Sequence, residues 1–290
     1  GNTRVGGRPS PWPGAAAQDG GQGSSPAASL PVTRRGATPY KSSVLRDTPT
    51  AYCRLDENSG TTAVDDSGNS NSGTYRAAGV ALNQPGLLFG DPNGGITTDG
   101  STGFFSAPTE TELQGDSTRS VEIWFQTTSS TQQPLFDSGA YNVSAGGLQI
   151  GLVQPSGVGN GFANPAGVLV DFTNIGVFVP ASNLTDGNPH QVVITLSGTT
   201  VSLYIDGVLT SGYDLNNNGQ WVASSQPFAL SATPNTTGNP IWVGQSRAQV
   251  GQGHNTGVDF FSGSLDEVAL YSSAVASARV QDHWAKAANA

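Results

Sequence analysis

The residues that could do chemistry in this chain are mainly carboxylates, because it contains only three histidines and one cysteine. Two carboxylates on alternate residues of a strand share one face, and about 5 Å apart they can act as nucleophile and acid/base on a glycosidic bond. Glu122 lies in a strand-like segment with no second carboxylate on its face. Asp266 and Glu267 are adjacent, so we expect them to point to opposite faces of their strand. The sequence shows no catalytic carboxylate pair.

The histidines and the cysteine also lack a catalytic or metal-binding context. His190, His254 and His283 stand far apart, and none belongs to a paired histidine motif or a nucleophile elbow. Cys53 is the only cysteine, which excludes an intrachain disulfide, and its place in a strand-like segment predicts a small buried residue. We therefore predict that the protein is not an enzyme.

Oxygen ligands are densest in the loop from Asp65 to Asn71. Its Asp65, Asp66, Asn69 and Asn71 could together hold a hard cation such as Ca²⁺, which binds several carboxylate and carbonyl oxygens at once. The same Asp-Ser-Gly-Asn pattern is also typical of an ordinary turn, in which these side chains bond their own backbone. Both interpretations stay open from the sequence.

Composition and charge limit the possible partners. The net charge is -9, and the excess of acid lies beyond residue 40, which disfavours nucleic acid because its binding depends on lysine and arginine contacts. No apolar run approaches the roughly 20 residues that span a bilayer. No secretory signal is apparent, which favours a protein that assembles inside the cell.

Short alternating segments dominate the chain after residue 45. Over 191–197 and 200–206, apolar residues alternate with more polar ones, and Asp206-Gly207 then allows a third strand at 208–211 to fold back. Similar strands are expected from Ala51–Leu55 to 262–271. Trp124 and Trp242 lie in such strands and are expected in the core. One short helix is predicted to begin after Ser277, a good N-cap, and to run to about Ala287.

Residues 1–45 form a separate unit in this interpretation, with residues 46–290 as the folded domain. The first segment is rich in Gly, Pro, Ala, Ser and Gln, so it cannot bury enough apolar surface to fold alone. We expect an extended arm that binds a partner protein. Its expected anchors are Trp12, Arg34, Arg35 and Tyr40. A plain flexible linker is the alternative.

Several motifs in the chain resemble laminin-G-like domains of the concanavalin A-like lectin/glucanase superfamily. A strand entered through His190, a Gly-Thr-Thr turn and a strand ending in Tyr-Ile-Asp-Gly match the centre of such domains. The other matching segments, in the family's order, are DENSGTTAVDDSGNSNSGTY (56–75), TDGSTGFFSAP (98–108), RSVEIWFQTTS (119–129) and GSLDEVALYSSAVASARVQDHW (263–284). The resemblance implies an all-β, two-sheet antiparallel jelly-roll sandwich with a short C-terminal helix.

The resemblance also bears on the candidate sites. Retaining glucanases of this superfamily carry the pattern Glu-x-Asp-x-x-Glu on one strand. Here Glu122 takes the first position of the pattern, but Trp124 stands in place of its Asp and Thr127 in place of its second Glu. Members often hold a structural Ca²⁺, and Asp266 is the family-like counterpart of the acidic loop. The resemblance therefore supports a non-catalytic domain and a possible calcium ion.

A glycan site would need aromatic faces beside planar polar side chains. Trp221 follows a polar loop and is the best candidate, and Tyr213, Asp214, Tyr141 and Asn142 could complete a shallow platform. Trp221 could instead only anchor its loop to the domain.

Two functions of different classes follow from these patterns. The first is a non-catalytic adhesin on a virion surface, from a phage tail or capsid, with a glycan-binding or cell-surface-binding module that its arm attaches to a larger, oligomeric assembly. Its opening strands resemble those in actinobacterial surface proteins and in phage tail proteins, so a cell-surface setting is the alternative location. The second is a purely structural decoration or cement protein. A glycoside hydrolase is disfavoured by the missing carboxylate pair.

Overall fold

The computed structural model describes residues 38–76, 78–107, 113–140, 144–153, 167–215, 220–238, 241–247 and 259–288. Alternation of side chains explains its central feature, an antiparallel hairpin. In this hairpin strand β12 (His190–Ser197) pairs with β13 (Thr200–Ile205), and β14 (Val208–Leu209) folds back on β13. The hairpin and its third strand confirm the alternation pattern.

One sheet has nine strands, and every pairing in it is antiparallel. Its main order is β14-β13-β12-β7-β19-β5-β4, with β1 beside β19 and β17 beside β13. Its remaining strands are β1 (Ala51–Cys53), β4 (Val80–Pro85), β5 (Gly94–Asp99), β7 (Arg119–Gln126), β17 (Phe228–Ala229) and β19 (Ser262–Tyr271).

The second sheet has ten strands in the order β16-β15-β11-β10-β9-β8-β18-β6-β3-β2, also antiparallel. These strands are β2 (Thr62–Ala63), β3 (Gly73–Tyr75), β6 (Phe105–Ala107), β8 (Gln133–Gly139), β9 (Gly147–Val153), β10 (Gly167–Asp171), β11 (Gly176–Pro180), β15 (Gly212–Leu215), β16 (Trp221–Ser224) and β18 (Ile241–Val243). The two sheets form the predicted jelly-roll sandwich.

The main core lies between the sheets, where alternate residues of both meet, as the alternation requires. A second buried layer covers the other face of the nine-stranded sheet. There the helices α1 (Pro39–Arg46) and α2 (Ser277–Ala288) pack on strand residues that include Trp124 and Val193. Trp124 is thus buried, as expected, but under α2, where its ring stacks on Trp284 at 5.2 Å.

Helix α1 was not expected from the sequence, which placed residues 38–45 in the arm. Thr38 caps it by accepting a hydrogen bond from the Lys41 N–H at 3.3 Å, and Pro39 fits the first helical turn. Tyr40 is fully buried, so the structure corrects its assignment as a partner-binding anchor: the ring leaves no surface for a partner. Residues 38–45 therefore belong to the folded domain.

Neither helix in the described ranges has the length and apolar content that a membrane crossing requires.

The ten-stranded sheet differs from its partner in one respect that matters for function. Its outer face, the one turned away from the sandwich core, carries both polar and aromatic side chains.

Candidate functional site

The outer face of the ten-stranded sheet carries a row of side chains that runs across the strands. In the antiparallel register, Trp242 is opposite Ser106 and Asp137, and Gln149 is opposite Asp137 and Asp171. Residues directly opposite each other point to the same face, and neighbouring strands lie about 4.8 Å apart. We call these five residues the central row.

Arg247 lies over the central row. Its guanidinium carbon is 3.8 Å from the centroid of the Trp242 ring, a cation–π contact. Its backbone N–H donates to Asp137 Oδ2 at 3.0 Å, and its guanidinium also donates to that carboxylate. Asp137 is fully buried, and a buried carboxylate needs such a partner. Arg247 therefore holds the Asp137 carboxylate and the Trp242 indole in fixed positions.

The other polar members of the row have different surroundings. Gln149 is almost fully buried, whereas Asp171 is half-buried and accepts a hydrogen bond from the Thr173 N–H at 2.7 Å. The Asp137 carboxylate and the Gln149 amide are buried, so the groups that this face partly exposes include the Asp171 carboxylate, the Arg247 guanidinium and the Trp242 indole. These are planar polar groups of the kind that orient hydroxyl-rich ligands.

An aromatic patch lies beside the central row on the same face, formed by Phe178, Tyr213 and Trp221. The Phe178 ring is nearly parallel to that of Tyr213 at 6.3 Å and lies edge-on to that of Trp221 at 6.4 Å. Phe178 is buried against Leu169, while Tyr213 and Trp221 are half-buried. A buried ring therefore supports two partly exposed rings, which makes the patch a firm apolar platform.

The structure brings two of the predicted glycan-binding residues together and separates a third. Tyr213 and Trp221 both belong to the patch. Asp214 is opposite Val177, whose side chain fills the core, so Asp214 points to the other face of the sheet. The prediction for Asp214 is corrected by the same alternation that places its neighbour Tyr213.

The other predicted contact residues are not part of the described structure. Tyr141 and Asn142 of the proposed platform, and Trp12, Arg34 and Arg35 of the proposed arm, lie outside the described residues. Their roles stay predictions.

Sequence reasoning missed the central row and Phe178. The segments GLQIGLV (147–153), GVLVD (167–171) and GVFVP (176–180) are apolar at nearly every position, so no alternation distinguishes their two faces. Trp242 was expected in the core, but Ile241 and Val243 on either side of it fill the core and turn it outward. Isolated polar residues in apolar strands, such as Gln in GLQIGLV, were the available signal.

The loop from Asp65 to Asn71 is a turn held by its own side chains, which is the second of the two interpretations that the sequence left open. Asp65 accepts hydrogen bonds from the backbone N–H groups of Tyr52, Ser67 and Asn71 at 2.8, 2.9 and 2.8 Å. Partial burial opposes ionisation of Asp65, but these bonds outweigh it and lower its pKa. The amide groups of Asn69 and Asn71 donate to the backbone oxygen of Thr50, at 3.1 and 2.9 Å. The loop is thus organised by its own side chains.

The five predicted calcium ligands do not form one site. Asp66 pairs with Lys41 at 2.6 Å, whereas Asp266 accepts from the Leu87 N–H at 2.8 Å. Among the described residues, no three His, Cys, Asp or Glu side chains are placed to share a metal ion. Calcium binding itself stays a prediction, and a chelator-induced fall in melting temperature would support it.

Asp266 and Glu267 were expected to point apart, and this expectation is wrong. A register shift in β19 and a positive φ of 50° at Glu267 form a bulge, so both carboxylates reach the amide of Asn93, at 3.3 and 3.1 Å. Burial raises the pKa of Glu267 to about 7 and also raises that of Asp266. Arg54 donates to Glu267 at 2.6 Å, so a buried charge network lies here.

Glu122, the first candidate for chemistry, is a structural centre. It is fully buried under α1 and α2 and accepts four hydrogen bonds, from Tyr40 Oη (2.8 Å), Gln191 Nε2 (2.6 Å), Tyr271 Oη (2.9 Å) and His283 Nδ1 (2.9 Å). Burial opposes its ionisation, but the charge and hydrogen bond of His283 and the tyrosine hydroxyls outweigh burial and lower its pKa. Glu122 therefore fastens both helices to the sheet.

This fold is that of a known family. The chain belongs to the concanavalin A-like lectin/glucanases superfamily, because the Laminin_G_3 family model matches residues 99–281, more than half of its length. Among curated proteins, no sequence matches the chain.

Three solved structures illustrate the similarity. Domain 4 of AbnA, a GH43 extracellular arabinanase from Geobacillus stearothermophilus solved with arabinotriose, is 18% identical, with a TM-score of 0.51 over 81% of this chain and 98% of that one. A Trypanosoma rangeli sialidase, solved in complex with 2,3-difluorosialic acid as a covalent intermediate, is 12% identical, with a TM-score of 0.51 over 81% of this chain and 32% of that one. The botulinum neurotoxin serotype D binding domain is 11% identical, with a TM-score of 0.50 over 82% and 52%.

These matches correct the prediction that the protein is not an enzyme. That prediction relied on the missing carboxylate pair and on histidines and a cysteine without a catalytic context, yet the same fold occurs in chains of an arabinanase and of a sialidase. The chain spans about a third of the sialidase, and at these identities the likeness shows the fold alone. The missing motif therefore does not exclude catalysis.

Proposed function

We propose that the protein is a glycan-binding module whose site is the outer face of the ten-stranded sheet. The observation that carries the proposal is the placement of the aromatic patch and the central row on one face. Sugars stack their apolar faces on aromatic rings and direct their hydroxyls to planar polar groups. The half-buried Tyr213 and Trp221 supply the first contact, and the partly exposed Asp171 and Arg247 supply the second.

The dimensions of this face suit an oligosaccharide better than a single sugar. From Trp221 on β16 to Trp242 on β18 the face crosses seven strands, or six spacings. At about 4.8 Å each, this amounts to roughly 29 Å, the length of several linked sugars. The arabinanase domain, which shares the fold, was solved with arabinotriose, and this supports an oligosaccharide as the class of ligand.

We also propose a setting for the module. The low-complexity composition of residues 1–37 supports a segment that attaches the domain to a larger assembly, with Trp12, Arg34 and Arg35 as contacts. The resemblance of the opening strands to phage tail and actinobacterial surface proteins supports a virion surface, with an extracellular cell surface as the alternative. A decoration protein with no glycan ligand is the competing function.

Binding of the full chain to purified actinobacterial cell envelopes tests the proposal. We expect saturable binding that falls about tenfold or more in Trp221→Ala and in Tyr213→Ala, because each loses one stacking contact worth about 1.4 kcal/mol. The matched control is Val222→Ala, since Val222 is exposed (45%) next to Trp221 but points to the opposite face. Products released during incubation should be analysed in the same samples, because turnover would show an enzyme.

Two results would contradict the proposal. Equal loss in Val222→Ala and Trp221→Ala would show that the face does not matter. Absence of envelope binding, together with attachment of the full chain but not of a variant without residues 1–37 to phage particles, would favour the decoration protein.

A further inference from the structure

A cavity of about 510 Å³ opens at the edge of the nine-stranded sheet, and its lining shares no residue with the outer-face site. Its volume is within the range of small-ligand sites. Its walls come from the segment after β1, from α1, and from the residues between β4 and β5. The residues that matter for its chemistry are Lys41, Arg54, Asp56, Glu57, Asp66, Asp91 and Asn93. We call it the acidic pocket.

The acidic pocket holds four carboxylates against two basic groups. Both basic groups are already engaged: Lys41 pairs with Asp66 at 2.6 Å, and Arg54 pairs with Asp91 at 2.9 Å and with Glu267 at 2.6 Å beneath the pocket. Asp56 and Glu57 are left without a basic partner among the described residues.

The remaining groups of the pocket accept hydrogen bonds. Glu57 receives neutral donors only, the Val64 N–H at 2.6 Å and the Tyr75 hydroxyl at 2.5 Å, and each carboxylate oxygen can accept a further bond. Asn93 is 8% exposed, and its Oδ1 has no hydrogen-bond partner although its amide nitrogen is fully used. A buried carbonyl oxygen without a donor is costly, so a ligand that supplies a donor would be favoured.

The backbone around the pocket is held in unusual conformations. Leu55 and Asn83, which flank or line it, have positive φ values of 58° and 57°. A buried leucine in this region is strained, and such strain concentrates at binding sites. Among the described residues around the pocket, no three His, Cys, Asp or Glu side chains are placed to share a metal ion.

We propose that the acidic pocket binds a small organic ligand through a primary ammonium group. An ammonium offers three N–H donors, accepts no hydrogen bond and carries the opposite charge, which matches Asp56, Glu57 and Asn93. The ammonium could come from an amino sugar or from a lysine side chain, and the probes below distinguish these sources.

Calorimetric titration of the full chain tests this proposal. The probes are D-glucosamine, for an amino sugar, and Nα-acetyl-lysine methylamide, for a lysine side chain. D-glucose and N-acetylglucosamine are the uncharged controls. We expect saturable binding of at least one ammonium probe, weakened by salt, and no saturable binding of the uncharged sugars in this pocket.

Variants assign the heat to the pocket. Asp56→Asn and the double variant Asp56→Asn/Glu57→Gln each keep the side-chain shape, and we expect about a tenfold loss of affinity per carboxylate removed. Asp116→Asn is the matched control, because Asp116 is an exposed acid outside the pocket. Asp56 is also exposed, so its single variant tests the site even if the double variant fails to fold.

Three outcomes would overturn the proposal. These are equal binding of glucose and glucosamine, no saturable binding of either ammonium probe, and equal loss of affinity in Asp116→Asn and Asp56→Asn. Binding that resists Trp221→Ala but falls in Asp56→Asn would place the ammonium site in the acidic pocket and away from the outer face.

Discussion

Replacing His283 with alanine should destabilise the protein far more than an exposed substitution on the same helix. His283 and Glu122 are both fully buried and 2.9 Å apart, so the substitution leaves the Glu122 carboxylate buried without its cation. Breaking a buried pair in this way costs about 3–5 kcal/mol. For a domain of this size, that lowers the melting temperature by roughly 10 °C.

The dependence on pH gives the prediction its sign. Burial opposes the charged form of His283, but the negative charges of Glu122 and then of Asp47 outweigh burial and raise the pKa of His283. Asp47 Oδ2 lies 3.0 Å from His283 Nε2, at an angle too bent for a hydrogen bond. A raised pKa stabilises the fold below the unfolded value of about 6.5, and this stabilisation is lost as the pH rises through the folded pKa. The pKa of Glu122 is lowered, so its contribution is present above the unfolded pKa of about 4.3 and is lost as the pH falls through the lower folded pKa.

Urea unfolding of the wild type and of His283→Ala between pH 5 and pH 9 is the measurement. The free-energy difference between the two proteins should be largest near pH 5–6 and shrink as the pH rises. His190, whose pKa is raised by Asp206 and Asp186 despite burial, keeps some slope in both proteins, so the difference is the readout. Gln281→Ala, on the exposed side of α2, is the control and should stay within about 0.5 kcal/mol of wild type. A difference that does not vary with pH, or a loss as small as that of Gln281→Ala, would refute the reasoning.

Three further substitutions test the packing and charge of the domain by urea or thermal unfolding. Gly207→Ala should lower the free energy of unfolding more than Gly198→Ala does. Both glycines have a positive φ (72° and 59°), but a Cβ at Gly207 would lie 2.8 Å from Trp284, whereas a Cβ at Gly198 would face open space. Equal losses would show that the contact with Trp284 is irrelevant. Asp65→Ala should cost about 1–3 kcal/mol, because it leaves several backbone N–H groups without acceptors, whereas Asp66→Ala removes only a partly exposed ion pair and should cost about 0–1 kcal/mol. The reverse order would contradict the turn interpretation of the loop. Arg54→Ala should lower the free energy of unfolding by about 3–5 kcal/mol, because it leaves the buried carboxylates of Glu267 and Asp91 without their cation. Arg46→Ala, at the exposed end of α1, should leave the stability nearly unchanged. A neutral Arg54→Ala would contradict the role of Arg54 as the cation of this buried charge network.

Much of the fold was predictable because its signals are local. The hairpin of β12 and β13 follows from period-two alternation over 191–206, and α2, which begins at Ser277, follows from the helix-start signal there. Helix α1 was missed because its eight residues have a weak apolar pattern, and packing on the sheet rather than propensity stabilises it.

The candidate site was predicted only in part. Trp221 and Tyr213 were found because an aromatic residue beside a polar loop is visible in sequence. Phe178, Asp137 and Gln149 were missed because their strands are apolar on both faces, and only the register of neighbouring strands shows which side chains share the outer face.

The sequence by itself determined the class of this protein, an antiparallel sandwich of many short strands, because alternation and turn residues act between neighbours in the chain. Only the tertiary structure decided the roles of the carboxylates. Glu122 is held by partners from α1, β12, β19 and α2, and Asp266 and Glu267 share Asn93 through a bulge. Such contacts join residues that are far apart in the chain, and burial sets the charge states of these residues. A local sequence pattern therefore shows neither the contacts nor the charge states.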